Sequence, residues 1–405
     1  MPFDTVPSKA SLKPSPFKAE TPDKELQDFK QLVQLGRIGP KTYENQVADV
    51  KDFTSFGITR KWLEDAKQEW EKTYDWRKTE ARINALPNYT VEIEDEGFKF
   101  NIHFAALFSK KADAVPLLLS HGWPGSFLEF LGVLEELSSK YDEDSLPYHV
   151  IVPSLPGYCY SNGPPLDRDF SVQDIAKVLD KLMLGLGFGD GYVAQGGDIG
   201  SFVTRVLAVT SSACKAAHIN LCIGVMPESE EQRKGLNEKE ERCVRRHEDF
   251  GNLGSAYARE HGTRPSTIGL VLASNPVALL AWIGEKFLQW SDESPPVSEI
   301  LDDVTLWWLT ESFARSIYPY RQFFGAEPTF FHDDSAWYIK KPMGYSWHPQ
   351  ELAPVPVKLV KRTGNLVWHR EHESGGHFAA MEQPKQFVKD IEDFIAQVWS
   401  EAKAS

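Results

Sequence analysis

Residues 191–209, GYVAQGGDIGSFVTRVLAV, decide how the rest of the chain is read. The short apolar run Gly191 to Ala194 fits a strand, and Ile199 to Val209 has the spacing of a helix. Between them stand Gly196, Asp198 and Gly200. A nucleophile elbow places its reactive side chain on a strained strand-to-helix turn, with no room for side chains two positions away. Its usual form is G-x-S-x-G. Here Asp198 stands in the serine position, and no G-x-S-x-G occurs elsewhere in the chain. An ordinary turn with aspartate as helix N-cap accounts for the same residues. The flanking sequence therefore has to decide.

The alternation continues on both sides. Upstream, Val115 to Ser120 (VPLLLS) and Tyr148 to Pro153 (YHVIVP) are apolar runs of the kind buried on both faces of a sheet. Helical patterns cover 127–141 and 172–186, and Lys215 to Leu221 reads as the next strand. Strands that alternate with helices imply a parallel sheet covered on both faces. From about 224 to 335 the alternation stops. Glu228 to Arg246 is charged and helical, and aromatic-rich stretches follow around Trp282, Trp307 and Trp308. Strand patterns return at 337–340, 357–361 and 366–369, and 387–399 closes as a helix. Before residue 110 the pattern is helical at 24–37 and 58–86. A hairpin follows over 89–109, turning at Asp95-Glu96-Gly97. The expected fold class is α/β, a mostly parallel sheet with helices on both faces. Its parts are an N-terminal extension (1–110), a first core half (111–223), a helical lid (224–335) and a second core half (336–405). A helical block inserted into a sheet is how lids are built.

Composition narrows the classes further. Among 405 residues, 58 Asp and Glu against 44 Lys and Arg give a net charge of −14, which argues against a nucleic-acid partner. Cys159, Cys214, Cys222 and Cys243 form no C-x-x-C pair, so neither a zinc site nor a disulfide framework is expected. Residues 1–20 are polar and carry no apolar signal core. The apolar segment 268–284 contains Asn275-Pro276 at its centre and reads as two short buried helices rather than a membrane span. A soluble, cytoplasmic setting is the expectation.

Two more motifs favour the elbow. His121-Gly122-Trp123-Pro124-Gly125 directly follows the first buried strand, where a loop supplies an oxyanion-hole N–H. Gly375-Gly376-His377-Phe378 lies between the last strand and the final helix, so nucleophile, acid and histidine follow the expected chain order. His369 and His372 compete with His377 as the base. For the acid, Glu351 in Pro349-Gln350-Glu351-Leu352 sits in a loop after a strand. Asp302 and Asp303 are alternatives inside the helical block.

Together GGDIGS, HGWPGSFLEF, YSWHPQEL and GGHFAAMEQP resemble the microsomal-type epoxide hydrolases of the α/β-hydrolase fold, particularly the soluble fungal members. The resemblance runs over nearly the whole chain. It implies that Asp198 is the nucleophile, His377 the general base and Glu351 the acid that orients it. It also implies two lid tyrosines that polarise the epoxide oxygen. Tyr257 matches the first. Tyr320 fits the second better than Tyr318 in Ile317-Tyr318-Pro319-Tyr320, although both are tyrosines. The backbone N–H groups of Trp123 and Ile199 would form the oxyanion hole. Trp282 and Tyr318 are carried as candidate substrate contacts, although tryptophans such as 282, 307 and 308 more often serve the core. The implied partners are a small apolar epoxide and water, with no metal or organic cofactor. Mammalian members carry an N-terminal membrane anchor, which is not expected here. A homodimer is an expectation at family level only. His348 stands where an aromatic residue is expected. Two other readings are weighed. A haloalkane dehalogenase also uses an aspartate, but tryptophan usually follows it and here Ile199 does. A non-catalytic binding protein on this fold would have lost its nucleophile or base.

Overall fold

The computed structural model describes residues 1–404. Its nine strands are β1 (Ser15–Pro16), β2 (Asn88–Asp95), β3 (Phe98–Leu107), β4 (Val115–Ser120), β5 (Tyr148–Pro153), β6 (Tyr192–Gly196), β7 (Cys214–Ile219), β8 (Ile339–Trp347) and β9 (Gly364–Glu371). They form one sheet in the order β1-β2-β3-β5-β4-β6-β7-β8-β9. The β1, β2, β3 and β5 neighbours pair antiparallel, and every pair from β5 through β4 to β9 is parallel. All six residues of β4 are buried, as its uninterrupted apolar sequence requires.

The strand order positions the chemistry. β4 and β6 are neighbours, with Ser120 level with Gly196. The loops after them, 121–125 and 197–198, therefore emerge side by side at the carboxyl end of the sheet. β8 and β9 deliver Glu351 and His377 to the same end, where Gln350 bridges Gly376. The helices between β7 and β8 form the lid over that end.

The structure departs from the sequence reading in several places. Val357–Val360 is a short helix, not a strand, entered from Pro356. β8 pairs directly with β9, which leaves no place for a strand between them. β8 runs over Ile339–Trp347 instead of 337–340, because its apolar pattern is interrupted by Lys340, Lys341 and Pro342. Its register against β9 shifts between Ile339 and Met343, the irregularity that lets a proline sit in a strand. The stretch 58–86, which the pattern reads as one long amphipathic helix or two, is two, Arg60–Lys72 and Trp76–Asn84, the second capped by the Asp75 side chain. The stretch 228–246 is likewise two, Glu230–Lys234 and Glu238–Asp249.

No single helix among the described residues is long and apolar enough to cross a membrane. Pro265–Leu272 and Pro276–Trp290 meet at a bend of 116°. The Asn275 side chain caps the second helix by accepting from the Val277 N–H at 2.8 Å. That helix is largely buried. The first is not, since Leu270 and Val271 face solvent.

Candidate active site

Asp198 begins the helix Asp198–Thr210 directly after β6. Its φ is +43°, a left-handed conformation that a non-glycine residue rarely holds and that costs on the order of 1–3 kcal/mol. The small neighbours are demanded by contact. A Cβ on Gly200 would lie 2.1 Å from the Ser120 carbonyl oxygen, and one on Gly196 would lie 2.1 Å from that of Gly200. The same holds across the neighbouring loop 121–125, where a Cβ on Gly122 would sit 2.2 Å from Asp198 Oδ1. The Trp123 N–H donates to that oxygen at 2.7 Å. Ile199 lines the adjacent cavity. Its N–H belongs to the first helical turn, whose donors have no partner within the helix and favour negative charge.

His377 reaches Asp198 from the other side. His377 Nε2 lies 3.5 Å from Asp198 Oδ2, and Nδ1 lies 2.5 Å from Glu351 Oε1. Both His377 and Glu351 are buried. The Leu352 N–H donates to the same Glu351 oxygen at 2.7 Å. The His377 N–H donates to the Trp290 carbonyl at 2.9 Å, which ties the base loop to the lid. Burial is the largest single influence on this imidazole and favours its neutral form. The charges of Glu351 and Asp198 together outweigh it and hold its pKa above the usual histidine range.

The competing bases are accounted for. His369 is exposed on β9. His372 Nε2 bonds the buried Asp390 at 2.6 Å, and His348 stacks on His372 with centroids 4.8 Å apart. The competing acids lie elsewhere. Asp302 accepts from the Tyr74 hydroxyl at 2.9 Å, and Asp303 from that of Ser126 at 2.6 Å.

A cavity of about 220 Å³ opens over Asp198. Tyr257 and Tyr320 line it, and phenylalanine is the commonest residue in the remaining wall: Phe202, Phe250, Phe323, Phe324, Phe330 and Phe331. The Tyr320 hydroxyl is buried with no hydrogen-bond partner among the described residues. Burial pushes both phenols well above their ordinary pKa, helped by the Asp198 charge at Tyr257 and by Tyr257 and then Asp198 at Tyr320, so they stand as donors. Tyr318 is different. Its hydroxyl donates to the Pro156 carbonyl at 2.8 Å, and it does not line the cavity. Trp282 does not line it either. Its indole N–H donates to His261 Nε2 at 3.0 Å. Of the candidate substrate contacts, neither Trp282 nor Tyr318 reaches the cavity.

These features stand together with clear relatives. A model described as the epoxide hydrolase N terminus matches residues 14–130, and one for the α/β hydrolase fold matches 115–310. The solved epoxide hydrolase of Aspergillus niger is 50% identical, superposes with a TM-score of 0.92, and the match covers 98% of this chain and 100% of that one. The chain belongs to the epoxide hydrolases of the α/β-hydrolase fold. Epoxide hydrolase 1 of Sus scrofa is 29% identical over 94% of this chain and 88% of its own. The juvenile hormone epoxide hydrolase of Bombyx mori, 24% identical over 97% of this chain and 96% of its own, shares the fold with a TM-score of 0.82.

Glu129 escaped the sequence reading of this epoxide hydrolase. It lines a second, small cavity of about 20 Å³ together with Asp198, His377, Ser120 and Gln195. Burial, then the nearby Asp303, raises its pKa well above the carboxylate range. Its signal lay in HGWPGSFLEF, where one acid stands among apolar residues. An exposed helical face explains such a residue equally well.

Asp303 offers a stability test. Burial raises its pKa to about 7 despite the bond from Ser126. A carboxyl raised on folding stabilises fully below its unfolded pKa, and the benefit is lost as pH rises through the folded value. Asp303→Asn should therefore gain melting temperature relative to the wild type as pH rises from about 4 through about 7. A pH-independent difference between the two would count against this assignment.

Proposed function

We propose that this epoxide hydrolase converts a small, mostly apolar epoxide and water to a 1,2-diol through a covalent ester on Asp198. The observation that carries this reading is the setting of one carboxylate. Asp198 lies between the Trp123 N–H and His377 Nε2, and it faces a cavity that also holds the phenols of Tyr257 and Tyr320. A carboxylate can attack carbon without first losing a proton, which a serine must do. With Oδ1 anchored on Trp123, Oδ2 is free to attack. The ring C–O bond breaks as the new C–O bond forms, and the departing oxygen takes hydrogen bonds from the two phenols. Donors aimed at developing charge in a water-poor site contribute most to catalysis. His377, oriented by Glu351, then removes a proton from water as its oxygen attacks the Asp198 carbonyl carbon. The charge that forms on Oδ1 falls to Trp123 N–H and Ile199 N–H until the carbonyl re-forms: the bond from the Asp198 carboxyl carbon to Oδ2 breaks, and Oδ2 leaves in the diol with the proton that His377 took from water. The ring oxygen keeps the proton it took from a phenol, and the second water proton, left on the Asp198 carboxyl, restores that phenol through solvent. The chemistry runs on side chains and backbone N–H groups of this chain, and a cytoplasmic setting is part of the same proposal.

Ester formation also prepares the second step. It removes the Asp198 charge, one of the two that hold a proton on His377. The imidazole's proton affinity then falls, so ring opening itself favours the neutral base that hydrolysis requires. The cavity of about 20 Å³ beside His377 and Glu129 has the size and polar lining for one water.

The tyrosine assignments predict a contrast. Tyr257→Phe and Tyr320→Phe should each slow ester formation by about 10²-fold, the scale of removing one donor to developing charge. Tyr318→Phe should change it by less than about threefold, because that hydroxyl is committed to Pro156. Stopped-flow measurement of ring opening separates them. Equal losses at Tyr318 and Tyr320 would defeat the assignment.

A further inference from the structure

Behind the two phenols lies a group the mechanism has not used. Lys286, on the lid helix Pro276–Trp290, is only 4% exposed. Its carboxylate contact is Glu285, its chain neighbour, which is partly exposed. Burying an ammonium group is costly, and core positions rarely hold one without a reason. Here the ammonium lies over aromatic rings, 4.8 Å from the centroid of Tyr257 and 5.4 Å from that of Trp282. A cation over a ring face is attracted to its quadrupole, more strongly when desolvated.

Trp282 extends the arrangement. An indole N–H can only donate, so His261 Nε2 must accept, and the imidazole carries its proton on Nδ1. Nδ1 is buried with no hydrogen-bond partner among the described residues. The ring stands nearly perpendicular to those of Trp123, Tyr257 and Tyr320, at centroid distances of 4.6, 5.4 and 4.8 Å. Burial, with the Lys286 charge adding to it, holds this histidine down to about 3, so it stays neutral. Lys286, Trp282 and His261 thus form one connected group packed against both phenol rings, and none of the three lines the cavity over Asp198.

We propose that Lys286 is a positioning residue for ring opening, its ammonium charge making the Tyr257 phenol a stronger hydrogen-bond donor to the alkoxide leaving oxygen. The proposal rests on the two-tyrosine reading above. The physical reason is direct. As the phenol gives up part of its proton, negative charge grows on its ring and oxygen, and a desolvated cation nearby stabilises that charge. Trp282 and His261 hold the rings in register, which gives Trp282 a place in the site although it does not line the substrate cavity. Ester hydrolysis uses neither phenol and should not feel the charge.

The test is a double-mutant cycle read by rapid kinetics, with Lys286→Met as the apolar near-isostere and Lys286→Gln as a second variant. Each should slow formation of the Asp198 ester by about tenfold, with ester hydrolysis within about twofold of the wild type. In a Tyr257→Phe background the same substitutions should cost less than about twofold, since the group they act through is gone. A folded variant that forms ester at the wild-type rate would overturn the proposal. So would equal losses in both backgrounds, or equal losses in both steps. If instead Tyr257→Phe alone leaves ring opening unchanged, the two-tyrosine reading has failed, and that result is distinct from a failure at Lys286.

Discussion

Asp198→Ala is expected to abolish diol formation while the protein stays folded. The variant keeps the oxyanion loop, His377, Glu351 and both lid phenols, but nothing in the cavity can attack carbon as Asp198 does. Removing a nucleophile from a triad costs about 10⁴–10⁶ in kcat, so the residual rate should be at least about 10⁴-fold below the wild type. Folding should survive. Asp198 lines the cavity and, among the described residues, makes no long-range bond other than those to Trp123 and His377. Alanine inherits the positive φ without a new clash, so melting should stay within about 5 °C of the wild type. Measurable turnover by a well-folded variant would mean that water attacks the epoxide directly.

His377→Gln should also cut turnover strongly, through the other half of the cycle. Ring opening needs Asp198 and the phenols, all of which remain. Hydrolysis needs a base beside the ester, and general-base catalysis is worth about 10²–10⁴-fold. Enzyme in excess over epoxide should consume it stoichiometrically and release almost no diol. Intact-protein mass spectrometry should then show the chain heavier by one epoxide, with the adduct on the peptide containing Asp198. Absence of an adduct, with epoxide left intact, would mean that His377 serves the first step rather than the second.

The part of this site that was legible in the sequence is the part where backbones approach closely. Gly122, Gly196 and Gly200 are set by contacts near 2 Å that any Cβ would violate, so the elbow and the oxyanion loop leave a local mark. Strands buried on both faces, such as β4, leave an equally plain one. What depends on distant partners did not show. The choice between Tyr320 and Tyr318 turns on the Pro156 carbonyl, which belongs to a loop after β5. The substrate cavity is walled by phenylalanines from 202 to 331 rather than by the lid tryptophans, because the lid's fold decides which aromatic rings face Asp198. The four-residue run Val357–Val360 was misread for a related reason. Its apolar pattern suits strand or helix, and only the direct pairing of β8 with β9 excludes a strand.

The central claim is that the oxygen added to the epoxide comes from Asp198 and only afterwards from water. A single turnover in heavy-oxygen water, with enzyme in excess, tests it directly. An unlabelled diol is expected, with label in the Asp198 carboxylate found by mass spectrometry of its peptide. A labelled diol from that first turnover, with Asp198 unlabelled, would contradict it.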